Sequence, residues 1–121
     1  MQALLDWLTE RYGQIHGAEE EAKSALARGD TEEYAAKLTR KAELLADLPK
    51  DARPYLLEAP EAVRGKVLQK LTRFSQSAAY GLKLKSTFFM SALLYRDDHA
   101  PGEPDNFSVF LSELTDEAKA L

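Results

Sequence analysis

The chain has 121 residues, of which 45% are hydrophobic and 30% charged, and this composition excludes an intrinsically disordered polymer. Cysteine is absent, which excludes disulfides, thiolate metal ligands and cysteine nucleophiles and fits a cytoplasmic location. The length suffices for one hydrophobic core, so we expect a single domain over residues 1–121. The apolar runs are far shorter than the ~20 residues of a membrane span, and no basic segment precedes the first of them. We therefore expect neither a signal peptide nor a membrane partner.

The net charge of −4 is unevenly distributed along the chain. Residues 61–96 contain seven basic residues and one acidic residue, whereas residues 97–121 contain seven acidic residues and one basic residue. Segments of opposite charge are typical of the complementary outer faces of packed helices. A nucleic-acid-binding row at Lys66, Lys70 and Arg73 is the alternative, but an acidic chain repels phosphate elsewhere. We therefore expect no nucleic-acid partner.

The first predicted helix covers residues 2–28 and presents one apolar stripe: Leu4, Leu8, Tyr12, Ile15, Ala18, Ala22, Ala25 and Leu26. Gly13 and Gly17 interrupt this pattern, and each costs about 1 kcal/mol relative to alanine inside a helix. The two glycines predict either a close approach of a neighbouring helix or a break near Gly13. Of the two possible forms of this segment, we favour the continuous helix.

The dipeptide Gly29-Asp30 predicts a tight turn into a second helix over residues 31–48. Gly29 can adopt the left-handed conformation that ends a helix. Asp30 can cap the next helix, with Glu33 three residues later completing a capping box. Because the connection is so short, we expect the two helices to pack as an antiparallel hairpin.

Prolines delimit the segment that follows this hairpin. Pro49 is expected to end the second helix, and Pro54 disfavours a helical conformation at Arg53, the residue before it. Residues 49–60 are therefore predicted to form a connection. Its apolar cluster is predicted to make a short helical turn that closes one end of the bundle, and the cluster comprises Tyr55, Leu56 and Leu57.

A third helix, roughly 55 Å long, is predicted over residues 60–95, because Pro60 suits the first helical position and no further proline interrupts the pattern. Its last part, residues 86–95, is apolar on nearly every face, which one neighbouring helix cannot cover. A loop over residues 96–105 precedes a fourth, amphipathic helix over residues 106–120. The predicted fold is all-α: a four-helix bundle built on an N-terminal antiparallel helical hairpin, one long central helix and a C-terminal amphipathic helix.

No arrangement of side chains in the sequence indicates catalysis. No serine or threonine has a credible histidine base, and no glycine-rich phosphate loop is present. His16 has Glu19 and Glu20 at i+3 and i+4, which we interpret as a solvated helix face rather than a metal site. The small residues between Ser75 and Gly81 predict close helix packing, with a ligand groove as the alternative. We predict no catalytic residue, no metal ligand and no cofactor.

Surplus apolar surface on the third and fourth helices predicts a protein-binding role, because an exposed apolar patch marks an interaction site. The last helix can either pack on its own bundle or leave it to bind elsewhere. The predicted contacts with an amphipathic helix of a partner protein are Phe88, Phe89, Leu93, Phe107, Phe110, Leu111 and Leu114. Two alternatives stay open: a ligand- or metal-binding bundle, and a self-assembling structural protein in which the third helix pairs across the two-fold axis of a homodimer.

The segment from Ala18 to Pro49, AEEEAKSALARGDTEEYAAKLTRKAELLADLP, resembles the flagellar export chaperones. In that family an Ala/Leu-rich helix ends in Gly-Asp, and the next helix carries basic residues ahead of a leucine-rich ending. The matching residues here are Gly29, Asp30, Arg40, Lys41, Leu44, Leu45 and Leu48. The chain length and the long third helix are also compatible. The resemblance implies a small cytoplasmic helical protein that binds the apolar C-terminal helix of a secreted subunit and prevents its early assembly.

Overall fold

The structure is a computed structural model that describes residues 1–120, and within that range the chain forms helices and no strand. The predicted all-α helical bundle is therefore confirmed. Within residues 1–120 there are six helices where four were predicted, because the predicted connection over residues 49–60 is a helix and the predicted helix over residues 60–95 is divided in two. The helices are α1 (Gln2–Ala27), α2 (Thr31–Ala46), α3 (Leu48–Glu58), α4 (Glu61–Leu84), α5 (Thr87–Ala92) and α6 (Asn106–Lys119).

The first two helices form the predicted antiparallel hairpin. At the turn Gly29 has a φ of +76°, and the Asp30 carboxylate accepts a hydrogen bond of 3.0 Å from the backbone N–H of Glu33. Lys37 forms an ion pair with Glu21, and Lys41, which is further from the turn, pairs with Glu19, which is also further from it. This order is the one that antiparallel helices require. The predicted turn at Gly29 and the Asp30 cap are confirmed, but the predicted capping box is wrong, because the Asp30 N–H donates to Ala25 O at 2.9 Å and not to the Glu33 side chain.

Helix α1 runs without a break through Gly13 and Gly17, so the favoured continuous helix is confirmed. A Cβ atom at either glycine would meet nothing within 4 Å. The expectation that these glycines mark a close helix approach is therefore wrong. They are positions where the helix tolerates glycine because its stability comes from the buried stripe on the opposite face.

The connection after α2 is a helix, which corrects the predicted loop over residues 49–60. A single residue, Asp47, separates α2 from α3, and Pro49 lies in the first turn of α3, where the missing N–H leaves no helical bond unmade. Arg53 is helical although Pro54 follows it, so that expectation is wrong. Pro54 cannot donate a backbone hydrogen bond. The helix forms despite this loss because Ala52 and Leu56 are buried in the core.

The predicted helix over residues 60–95 is divided at Lys85, which corrects the expectation of a single rod. Lys85 has a left-handed φ of +51°, and the Ser86 hydroxyl then accepts a hydrogen bond of 3.0 Å from the N–H of Phe89 to cap α5. The chain turns back on itself, and a Cβ atom at Gly81 would lie only 2.9 Å from Phe89 Cδ1. Turning back buries apolar faces of α5 that a straight rod would expose, and Gly81 makes room for it.

One hydrophobic core draws on all six helices. Its buried residues include Leu8 and Ile15 of α1, Leu45 of α2, Leu71 of α4 and Phe107 of α6. The aromatic rings of Phe107 on α6 and Phe74 on α4 stack with centroids 5.4 Å apart. The last helix therefore packs on its own bundle. Among residues 1–120, no helix combines the length and the apolar character that crossing a membrane requires.

Candidate functional site

A groove of about 520 Å³ lies between α3 and α4 on the protein surface. On the α3 side Lys50, Arg53 and Leu57 share one helix face, because their spacing of i, i+3 and i+7 brings them into line. Pro49, in the first turn of α3, lines the groove beside them. The groove is lined by Pro49, Lys50, Arg53, Leu56, Leu57, Arg64, Gly65 and Leu68.

Two leucines on the walls of this groove are exposed to solvent. Leu57 of α3 is 66% exposed and Leu68 of α4 is 44% exposed. Scattered exposed leucines are ordinary, but two on the walls of one concave surface form an apolar site. Gly65 lies between Arg64 and Leu68, and a Cβ atom there would meet nothing within 4 Å. The groove is therefore open above Gly65, where a ligand side chain could approach the α4 backbone.

The charged residues that line the groove are all basic. Its lining contains Lys50, Arg53 and Arg64 and no acidic residue, although the chain as a whole has a net charge of −4. Arg64 is held in place, because its Nε donates to Ala59 O at 2.9 Å and its NH2 nitrogen donates to Leu57 O at 3.0 Å. The groove therefore combines apolar walls with a rigidly placed cation.

Most of the residues predicted to contact a partner lie within the protein's own core. Leu93, Phe107, Phe110 and Leu114 are buried, so a partner could reach them only if α5 or α6 moved away. Phe89 and Leu111 are half-buried and pack against the same core. In this conformation these six side chains contribute to packing within the protein itself.

Phe88 is the exception, because its side chain is 84% exposed. Tyr80 and Leu84 lie one turn apart near the end of α4 and are about half exposed, so the turn from α4 to α5 carries a second apolar surface. The ring of Tyr80 packs edge-on against that of Phe89 with centroids 5.3 Å apart. The prediction that Phe88 contacts a partner remains a prediction, and the structure leaves its side chain accessible.

A buried polar cluster links the hairpin to the segment between α5 and α6. The Lys41 ammonium, 1% exposed, donates to Glu19 Oε1 at 3.0 Å and to Leu93 O at 3.0 Å. The Tyr95 hydroxyl donates to Glu19 Oε2, and the Tyr12 hydroxyl donates to Asp105 Oδ2 at 2.8 Å. Every buried side-chain nitrogen and oxygen within residues 1–120 has a hydrogen-bond partner. This cluster fastens the α5–α6 segment to the hairpin.

The protonation states of this cluster follow from burial and charge. Burial, together with the hydrogen bond to Asp105, raises the pKa of Tyr12 well above its usual value. Burial and the contact with Glu19 raise the pKa of Tyr95 in the same way. Burial lowers the pKa of Lys41, and the charge of Glu19 opposes this shift. Both phenols therefore stay protonated well above neutral pH, as hydrogen-bond donors to Asp105 and Glu19.

His16, Glu19 and Glu20 come together on α1 with candidate ligand atoms within 4.8 Å of one another. His16 Nδ1 lies 4.0 Å from Glu19 Oε2, and His16 Nε2 lies 3.8 Å from Glu20 Oε1. Both oxygens of Glu19 already accept a hydrogen bond, one from Lys41 and one from Tyr95. A metal ion here would have to compete with both donors. The expectation of a solvated helix face is wrong for Glu19, whose side chain is buried, whereas His16 and Glu20 are exposed.

The small residues between Ser75 and Gly81 serve helix packing, as the sequence predicts. Ala78 is fully buried, and Gly81 is covered by Phe89 and Met90. The Ser75 hydroxyl donates to Ala46 O at 2.6 Å, which brings α4 against the end of α2. Packing accounts for these contacts, whereas Ser77 lines a cavity of about 290 Å³ together with Phe74 and Phe89.

Sequence reasoning missed the groove between α3 and α4. Leu57 belongs to the apolar cluster that is predicted to close one end of the bundle, and Leu68 lies within the predicted third helix. The available signal was the spacing of Lys50, Arg53 and Leu57, which places two cations and a leucine on one helix face. It was not recognised because residues 49–60 were expected to be a connection.

Comparison of the chain with protein-family models, with curated proteins and with solved structures finds no match.

Proposed function

We propose that the chain is a non-catalytic helical binding protein, a cytoplasmic chaperone or adaptor that holds an apolar helix of a partner protein in the groove between α3 and α4. The observation that supports this proposal is the exposure of Leu57 and Leu68 on the walls of one groove, with open space above Gly65. A helix that places apolar side chains at i, i+3, i+4 and i+7 in such a groove would cover both leucines. The resemblance of residues 18–49 to flagellar export chaperones favours the same type of ligand.

A single substitution can fill the groove without disturbing the core. Gly65→Leu places a side chain in the open space above Gly65, and leucine is a better helix former than glycine by about 1 kcal/mol. Gly13→Leu is the matched control, because Gly13 also lies in a helix, and a Cβ atom there also meets nothing within 4 Å. Both variants are expected to melt at or above the temperature of the wild type.

Binding is measured by fluorescence anisotropy of a labelled amphipathic peptide about 18 residues long, with leucines at helical spacing. The wild type and Gly13→Leu are expected to bind it equally, and Gly65→Leu about tenfold more weakly or worse. Leu57→Ser, which removes a mostly exposed side chain, is expected to weaken binding by about 1–2 kcal/mol, that is, by about tenfold. No binding by the wild type, or equal binding by all four proteins, would refute the groove as the site.

The surface around Phe88 is a second candidate, and its 84% exposed aromatic ring is the observation that favours it. Phe88→Asp tests it against the groove in the same assay, and this change leaves the core untouched. Loss of peptide binding in Phe88→Asp with retention in Gly65→Leu would overturn the groove and support the surface at the α4–α5 turn. The reverse pattern would support the groove.

A further inference from the structure

We infer that the partner helix carries acidic side chains along the flanks of its apolar stripe, and this inference rests on the proposed function. Lys50, Arg53 and Arg64 supply the charges of the groove, and no acidic residue lines it. The groove is thus a local positive surface on a protein whose net charge is −4. An acidic ligand gains electrostatic attraction from these cations at the groove.

The three cations differ in how firmly they are held. Lys50 and Arg53 are exposed on α3, and neither side chain makes a hydrogen bond or ion pair with any other part of residues 1–120. Arg64 is instead held by its hydrogen bonds to Ala59 O and Leu57 O. Because this side chain is already ordered, its conformational entropy is not lost when a ligand binds. A glutamate or aspartate on either flank of a bound helix would therefore find a cation on the α3 side and another at the α3–α4 corner.

Shape distinguishes this occupant from an anionic membrane, which also attracts basic and apolar side chains. The two exposed leucines belong to the walls of a concave groove between two helices, and Gly65 deepens it. A flat bilayer cannot follow that concavity, whereas a single helix can lie in it. A helix with an apolar stripe and acidic flanks is therefore the occupant that fits both the shape and the charge.

Two peptides test the inference. Both carry the same leucines at helical spacing, with glutamates on the flanks in one and lysines in the other. The wild-type protein is expected to bind the glutamate peptide about tenfold more tightly at about 0.05 M salt, with the difference largely lost near 0.5 M salt. Equal binding of the two peptides would overturn the charge inference and leave the proposed function standing. Binding of neither peptide would overturn the proposed function itself.

Charge reversal in the groove separates local from global electrostatics. The double variant Lys50→Glu/Arg53→Glu is expected to reverse the preference so that the lysine peptide binds more tightly. The control Arg28→Glu/Arg40→Glu changes the net charge by the same amount at two exposed positions outside the groove and is expected to keep the wild-type preference. A preference reversed equally by both double variants would show that net charge decides, which would overturn the inference.

Two further measurements test the other possible occupants of the groove, a membrane and a second copy of the chain. Sedimentation with vesicles of phosphatidylserine and phosphatidylcholine tests a membrane, and light scattering of the protein at increasing concentration tests a second copy of the chain. Neither association is expected. The inference is overturned if the wild-type protein does not bind the glutamate peptide but does bind vesicles or dimerise, and if Gly65→Leu abolishes that association.

Discussion

Gly81→Ala tests whether the chain turns back on itself after α4. Alanine normally stabilises a helix interior by about 1 kcal/mol relative to glycine. At Gly81 the new methyl group would lie 2.9 Å from Phe89 Cδ1 and 3.1 Å from Met90 Cγ. Overpacking of this kind costs about 1–3 kcal/mol, so the net expectation is a loss of about 1 kcal/mol. That loss corresponds to a melting temperature lower by about 4 °C in a chain of this size.

The matched substitution Gly13→Ala should act in the opposite direction. A Cβ atom at Gly13 meets nothing within 4 Å, so the helix-propensity gain of about 1 kcal/mol is not opposed. Urea and thermal unfolding followed by circular dichroism measure both variants against the wild type. If Gly81→Ala raised the stability as much as Gly13→Ala does, Phe89 and Met90 could not pack on Gly81, and the reasoning about the turn at Lys85 would be refuted.

Two further predictions concern the buried polar cluster. Lys41→Met is expected to lower the free energy of unfolding in urea by about 3–5 kcal/mol, because it leaves the Glu19 carboxylate buried without its cation. Adding Glu19→Gln should recover part of that loss, and a double variant less stable than Lys41→Met would contradict this account. The raised pKa values of Tyr12 and Tyr95 keep both phenols protonated in the folded state, whereas in the unfolded chain they ionise above pH ~10. Their contribution is complete below that pH and is lost above it, at up to about 1.4 kcal/mol per pH unit for each tyrosine. Urea unfolding between pH 9 and 11 should therefore show a shallower decline in Tyr12→Phe/Tyr95→Phe than in the wild type, and parallel curves would contradict the assignment.

Local signals were sufficient to predict the hairpin. Gly29 and Asp30 act on the backbone within a few residues, so their capping chemistry could be recognised without knowledge of the fold. The amphipathic stripe of the last helix was also local, and the structure buries Phe107, Phe110 and Leu114 as that stripe requires. Its docking on the bundle was left open because periodicity shows which face is apolar and not what covers that face.

The two corrected helices show why the rest could not be predicted. Pro54 weighs against a helix locally, yet tertiary burial of the neighbouring Ala52 and Leu56 outweighs one lost backbone bond. The pattern over residues 60–95 is helical throughout, yet the chain turns at Lys85. That turn depends on contact between Gly81 and Phe89, which are eight positions apart in the sequence but adjacent in space.

The sequence by itself determined that this protein is all-α, where its first hairpin turns and which helix faces are apolar, because these properties depend on residues within one or two turns of each other. Only the tertiary structure decided which apolar residues stay exposed. The apolar surface that the sequence predicts at residues 86–95 is largely covered by packing of α5 against α2 and α4, apart from Phe88, whereas Leu57 and Leu68 are left exposed beside Gly65. Whether an apolar side chain is available to a partner depends on how much of its surface the other helices cover, and that coverage is a property of the packed chain as a whole.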